Sequence, residues 1–144
     1  MRTSHRDLIV LHDPVGQPRH KISTRGGFAS MYLPSRHPVH SFKRSIRESF
    51  GKKDCHPHPV SITVFAYFAR PKSKVWKTKP MPMERHLKKP DADNVLKAVL
   101  DALNGVAWYD DAQVFSATVE KYICGGDSQP RCEIQINIYK DATV

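Results

Sequence analysis

Acidic residues are scarce in this chain: fourteen Asp and Glu stand against twenty-three Lys and Arg, a formal charge of +9. A surplus of that size makes a polyanion the natural partner. Cysteine is scarce as well. Cys55, Cys124 and Cys132 show no CxxC spacing, which argues against a disulfide framework or a zinc ribbon. Cys124 and Cys132 flank a turn-rich stretch, are expected to face each other across it, and read as reduced thiols. Long apolar runs are missing: none approaches the roughly 20 residues that cross a bilayer, and the first six residues open no apolar signal segment. The expectation is a cytoplasmic protein with no membrane partner. A length of 144 residues suits a single domain, 1–144, with a modest core.

The apolar residues that are present fall into alternating and helical patterns. Leu8 to Leu11 reads as a buried strand ended by Asp13-Pro14 and Gly16. From Gln17 to Pro34 the chain carries Arg19, His20, Lys21 and Arg25. Ile22 and the stretch Phe28 to Leu33 either flank a Gly26-Gly27 turn as a small hairpin or belong to a solvated loop. Ser35 is placed as a helix N-cap, with Pro38 in the first turn and Val39, Phe42, Ile46 and Phe50 as the buried stripe. Gly51 stops that helix. Asp54 to Pro59 is a stiff linker; Cys55, His56 and His58 lie close in it, but no second pair of soft ligands follows at zinc spacing. Val60 to Ala69 has the β-branched and aromatic content of a central strand. Gln113 to Ile123 and Glu133 to Tyr139 alternate as two further strands, and Cys124 to Arg131 between them predicts an antiparallel hairpin. The order β-α-β-α-β-β describes an α+β domain, with helices packed on a mixed β-sheet.

Two stretches remain outside this frame. Arg70 to Pro90 contains Arg70, Lys72, Lys74, Lys77, Lys79, Arg85, Lys88 and Lys89 against the single acid Glu84. Pro71, Pro80, Pro82 and Pro90 forbid a regular helix or central strand across it. An irregular cationic loop tracks a phosphate backbone well, and Trp76 within it either stacks on an exposed base or packs against the core. These residues form the candidate DNA-binding set.

The second stretch concentrates the scarce acids: Lys88 to Val114 holds Asp91, Asp93, Asp101, Asp110 and Asp111, five of the fourteen. Asp91-Ala92-Asp93-Asn94 is expected to precede a helix that runs to about Asn104 and is closed by Gly105. Val95, Leu96, Val99, Leu100 and Leu103 make its core face, while Asp93, Lys97 and Asp101 share a polar stripe. Each piece alone reads as ordinary helix chemistry, through capping, the macrodipole or i,i+4 pairing of Asp101 with Lys97. Together they admit more. The chain from Gly105 to Asp111 spans roughly 20 Å if extended, enough to return Asp110 or Asp111 along a helix of about 16 Å to Asp91 and Asp93. Carboxylates gathered there repel unless a hard cation sits between them, and oxygen donors suit Mg²⁺ or Mn²⁺. The reading is a metal-assisted cut of a phosphodiester, with Lys97 offsetting charge on the phosphate. Two other readings fit the same residues: a non-catalytic basic protein that binds junctions, and a broader branched-DNA or RNA nuclease.

The motifs then become recognisable. D-x-D-N at Asp91 to Asn94, Lys97 four residues beyond the second Asp, L-D-A-L at Leu100 to Leu103 and D-D-x-Q at Asp110 to Gln113 resemble the RusA family of Holliday junction resolvases. Pro14 to Lys21 (PVGQPRHK) is similar to the family's N-terminal segment. The resemblance implies an endodeoxyribonuclease of bacteria or their prophages. Its metal-binding and catalytic carboxylates would be Asp91, Asp93 and Asp111, with Lys97 as the essential cation and Asp110 as a supporting neighbour. It also implies a homodimer that nicks opposing strands of a four-way DNA junction in recombination and repair, leaving 5′-phosphate ends. The segment Arg70 to Pro90 departs from the family by its length, and Ala92 replaces a commoner Leu.

Overall fold

The computed structural model describes residues 2–18, 21–27 and 29–144. Arg19, His20 and Phe28 of the basic turn lie outside the described residues. Strand β1 (Arg2–Val10) starts well before the apolar run, because its polar first half pairs with the last strand of the chain. Among its described side chains, Leu8 and Val10 are the buried ones. Strands β2 (Lys21–Ser23) and β3 (Ser30–Tyr32) form a separate antiparallel pair, the hairpin rather than the loop. Gly26 and Gly27 turn between them with φ of 77° and 81°, a left-handed conformation that glycine adopts without penalty.

Helix α1 (Val39–Phe50) buries the predicted stripe of Val39, Phe42, Ile46 and Phe50. It starts later than the Ser35 cap suggested: Pro38 is the N-cap residue, and the Val39 N–H donates to His37 Nδ1 at 3.0 Å. Strand β4 (Val60–Phe68) follows, then a two-residue strand β5 (Glu84–Arg85), helix α2 (Ala92–Leu103), and strands β6 (Val114–Ile123) and β7 (Arg131–Tyr139). The five long-range strands make one mixed sheet in the order β1-β7-β4-β6-β5. The α+β expectation holds, with β2, β3 and β5 as short additions to it.

One expectation is corrected here. β6 and β7 do not form a hairpin, because β4 lies between them, parallel to β6 and antiparallel to β7. The connection crosses two strand spacings, about 10 Å. Its glycines serve a different purpose: Gly126 N donates to Met81 O at 2.9 Å, and a Cβ on Gly125 would sit 3.3 Å from that same oxygen. Cys124 and Cys132 are both buried and free, and do not face each other across a hairpin.

The core lies where β1, β7 and β4 meet the helices. Val60, Ile62, Val64 and Ala66 alternate inward from β4, opposite Phe42 and Ile46 of α1 and Val95, Val99 and Leu103 of α2. Each large side chain buried this way contributes about 1.5–3 kcal/mol. Among the described residues, no helix is long and apolar enough to cross a membrane. The helices thus fix α2 along β6, and α2 carries the acids.

Candidate active site and DNA interface

α2 begins at Asp91, whose extended φ/ψ of −68° and 152° makes it the N-cap residue, although its side chain caps nothing. Both Asp91 oxygens instead accept from Lys89 Nζ, each at 3.0 Å. Asp93 is exposed in the first turn and Lys97 is exposed one turn further on the same stripe. Three contacts hold this helix start in place. Lys121 of β6 donates to Lys88 O at 2.8 Å and Pro90 O at 2.6 Å, and its Nζ lies 3.3 Å from His86 Nδ1. His86 stacks on Phe68 at 4.1 Å; burial first, then Lys121 and Lys88, lower its pKa, which favours the neutral ring that can accept from Lys121. From the other side, Gln17 N donates to Asn94 O at 2.8 Å, and Gly16 lies so close to Pro90 that a Cβ would stand 2.6 Å from the proline Cβ.

Asp111 belongs to a different end of the helix. Trp108, fully buried, donates from Nε1 to Asp111 Oδ1 at 2.8 Å, and Trp108 is itself bridged to Asn104, the C-cap of α2. Burial raises the Asp111 carboxyl above the usual range, the Trp108 hydrogen bond opposes this, and Asp101 and Asp110 raise it further. Asp110 caps the short 3-10 turn Asp111–Gln113 by accepting from Ala112 N at 2.9 Å. Gln113 closes that turn through Oε1, and its Nε2 donates to the carbonyls of His56 at 2.6 Å and His58 at 3.0 Å.

The return path expected for Asp111 therefore fails within one chain. Rather than extending back along the helix, the segment after Leu103 curls tightly: Gly105 N donates to Trp108 O at 2.9 Å and Ala107 N to Leu103 O at 2.9 Å. Burial of Ala107 and Trp108 favours the curl over the extended reach. β6 then runs antiparallel to α2, so that its far end, at Lys121, is the part that meets Pro90. Asp91 and Asp111 stand apart by about the length of a twelve-residue helix, roughly 18 Å. Among the described residues no three His, Cys, Asp or Glu side chains gather to hold a metal. Asp91 and Asp93 offer hard, exposed oxygens; Asp111 does not join them inside one copy. Asp101 pairs with Lys43 of α1 at 3.6 Å, not with Lys97.

The basic segment also divides. Lys72, Lys77, Lys79, Arg85, Lys88 and Lys89 are exposed. Arg70 is not: it turns inward, and Lys74 pairs with Glu84 at 2.7 Å. Trp76 packs rather than standing free, with the Arg70 guanidinium 5.2 Å and Lys79 Nζ 5.6 Å from its ring. A cleft of about 720 Å³ lies elsewhere, between Pro57, Gln113, Phe115 and Tyr139, and its lining includes none of Asp91, Asp93, Lys97 or Asp111. Among the residues that position this site, Lys121 and Trp108 carry no sequence-based expectation, and Gly16 is expected only to end the first strand and to belong to the segment similar to the family's N-terminus. Gly16 stands alone between Pro14 and Pro18, a signal for close packing, whereas nothing local distinguishes Lys121 from another strand cation.

Two comparisons with known proteins bear on the family of this chain. The family model described as "Endodeoxyribonuclease RusA" matches residues 12–137, which takes in the basic segment, α2 and the 3-10 turn. The chain is also 32% identical over 135 residues to the uncharacterized protein YqaN of Bacillus subtilis (strain 168), covering 90% of this chain and 93% of that protein. This chain belongs to the RusA endodeoxyribonuclease family.

Proposed function

We propose that the protein is a Mg²⁺-dependent endodeoxyribonuclease that resolves Holliday junctions as a homodimer, by paired symmetric nicks, in DNA recombination and repair. The observation that carries the reading is the juxtaposition at the start of α2. Exposed Asp91 and Asp93, with exposed Lys97 one turn on, follow directly on the cationic Lys88 and Lys89. The cations draw a phosphate backbone to a place where carboxylates alone would repel it. Asp91 and Asp93 would hold the divalent ion, Mg²⁺ or Mn²⁺, which supplies charge to the scissile phosphate and acidifies an attacking water. Lys97 offsets charge on the phosphate.

A second copy accounts for the distance to Asp111. Beyond its contacts with β5 at Tyr122 and Ile123, the outer edge of β6 has no strand partner among the described residues. An unpaired edge of this kind is a template for a like strand. Two such edges paired antiparallel about a two-fold axis run the start of each β6 toward the end of the other. Asp111 of one copy then approaches the Asp91 and Asp93 end of the second. Two sites related by a two-fold axis suit paired cuts in a symmetric junction.

The test is cleavage of a synthetic four-way junction by wild type and Asp93→Asn in Mg²⁺. The variant should bind the junction as well as wild type or better, and cut it at least about 100-fold more slowly, the scale of one lost charge-stabilising group. Undiminished cleavage removes the reading. Binding without cleavage by the wild type, in Mg²⁺ and Mn²⁺ on junctions, flaps and duplexes, replaces it with a non-catalytic junction-binding protein.

A further inference from the structure

The basic segment contains one acid, Glu84, and the segment is fastened there. Glu84 Oε1 accepts from Lys74 Nζ at 2.7 Å and Oε2 from Arg70 Nη2 at 3.1 Å. Lys74 and then Arg70 hold its carboxyl below the ordinary range, so it is ionised at neutral pH. Arg70, with a side chain only 6% exposed, directs its remaining donors inward. Nε donates to Lys74 O at 2.6 Å, and Nη1 to Pro82 O at 2.9 Å and Cys124 O at 3.3 Å. The same guanidinium faces the Trp76 ring, and Trp76 N donates to Met81 Sδ at 3.3 Å. One cation therefore ties together both limbs of the loop, its central tryptophan and the β6–β7 connection, while Lys72, Lys77 and Lys79 are exposed, the last with its Nζ beside the Trp76 ring.

We propose that Arg70 and Glu84 are positioning residues for nucleic acid: their clasp holds Lys72, Lys77 and Lys79 in the arrangement that receives the phosphate backbone. The inference rests on the reading of this segment as DNA-facing. Its physical content is preorganisation, since a loop already ordered loses less freedom when it binds. Arg70 acts through the lysines and touches no phosphate itself.

One substitution separates this from simple charge counting. Glu84→Gln removes the only negative charge in the segment and adds one to the net charge of +9. Counterion release alone then gives tighter binding. The clasp gives weaker binding, by about three- to tenfold, because the lysines must be ordered at the moment of contact.

The measurement is fluorescence anisotropy with a synthetic four-way junction, in EDTA at fixed salt, with thermal unfolding to show that each variant is folded. Arg70→Met should weaken binding about tenfold, with partial rescue in Arg70→Lys. Trypsin should cut after Lys72 and Lys77 faster in both Arg70→Met and Glu84→Gln. In a Lys72→Ala/Lys77→Ala/Lys79→Ala background, itself weakened, Glu84→Gln should cost nothing further, as expected of residues acting as a unit. If Glu84→Gln binds as tightly as wild type or tighter while the triple lysine variant is weakened, the clasp is refuted and the DNA-facing reading survives. If the triple variant binds like wild type, both fall. Glu84 is partly exposed, so its variant keeps the test decisive even if Arg70→Met does not fold.

Discussion

Gly16→Ala is the smallest change that reaches the proposed catalytic end of α2. The added Cβ would stand 2.6 Å from Pro90 Cβ, 3.2 Å from Asn94 Cβ and 3.4 Å from Pro90 Cγ. Comfortable carbon contacts begin near 3.5 Å, so Pro90 must retreat by roughly 1 Å. Pro90 is a ring on the backbone and Asn94 lies in the first turn of α2, so neither can swing aside like the tip of a long side chain. Two effects oppose each other. Alanine restricts the unfolded chain and favours folding by about 0.4–1 kcal/mol, while overpacking costs about 1–3 kcal/mol. Overpacking wins, and the net loss is about 1–2 kcal/mol, a fall in melting temperature of about 3–6 °C for a chain of this size. The displaced residues precede and follow Asp91 and Asp93, and a shift of about 1 Å at reacting groups costs up to about 100-fold in rate. Junction cleavage in Mg²⁺ should therefore fall by about 10- to 100-fold, while junction binding in EDTA changes by less than about twofold. A variant as stable and as active as wild type would show that the segment around Gly16 does not brace the start of α2.

Lys121→Met keeps the aliphatic stem of the side chain but leaves the carbonyls of Lys88 and Pro90 without their donor; a loss of about 1–3 kcal/mol in denaturant unfolding is expected, with cleavage reduced more than DNA binding. Equal loss of both would place Lys121 among the DNA contacts instead. Asp111→Asn tests the second end of the site. The raised carboxyl of Asp111 means that the folded protein holds this proton more tightly than the unfolded chain, so its favourable contribution is complete in acid and disappears as pH rises through the folded value. The asparagine variant should thus be at least as stable as wild type near pH 7, with the difference shrinking in acid, and yet fail to cleave. Full cleavage by this variant would remove Asp111 from the site.

Much of this fold is legible in the sequence because it rests on local periodicity. Val39, Phe42, Ile46 and Phe50 can share a face only on a helix, and Val60 to Phe68 alternates as a strand does. What escapes such reading is competition between distant partners. The Cys124 to Arg131 stretch has every local mark of a hairpin, but β4 offers β6 and β7 a more apolar neighbour than they offer each other. The carboxylates at the start of α2 were legible as a spacing. The position of Asp111 was not, because chain length sets only how far a segment can reach, and burial of Trp108 decides how far it does. Arg70 shows the same limit: its composition marks it as a phosphate contact, and only its inward donors reveal a different task.

The place of β7 has a consequence for how the chain is made. β7 is the last strand in the sequence, yet it sits between β1 and β4, pairing with residues that leave the ribosome more than a hundred and about seventy positions earlier, respectively. Until it emerges, β1 has no strand to join and β4 exposes one whole edge. Synthesis at about 5–20 residues per second makes that interval several seconds long. A chain cut short before Arg131 lacks the middle of its sheet rather than its margin. In this topology the sheet closes from its middle, and only once the strand that comes last in sequence has been made.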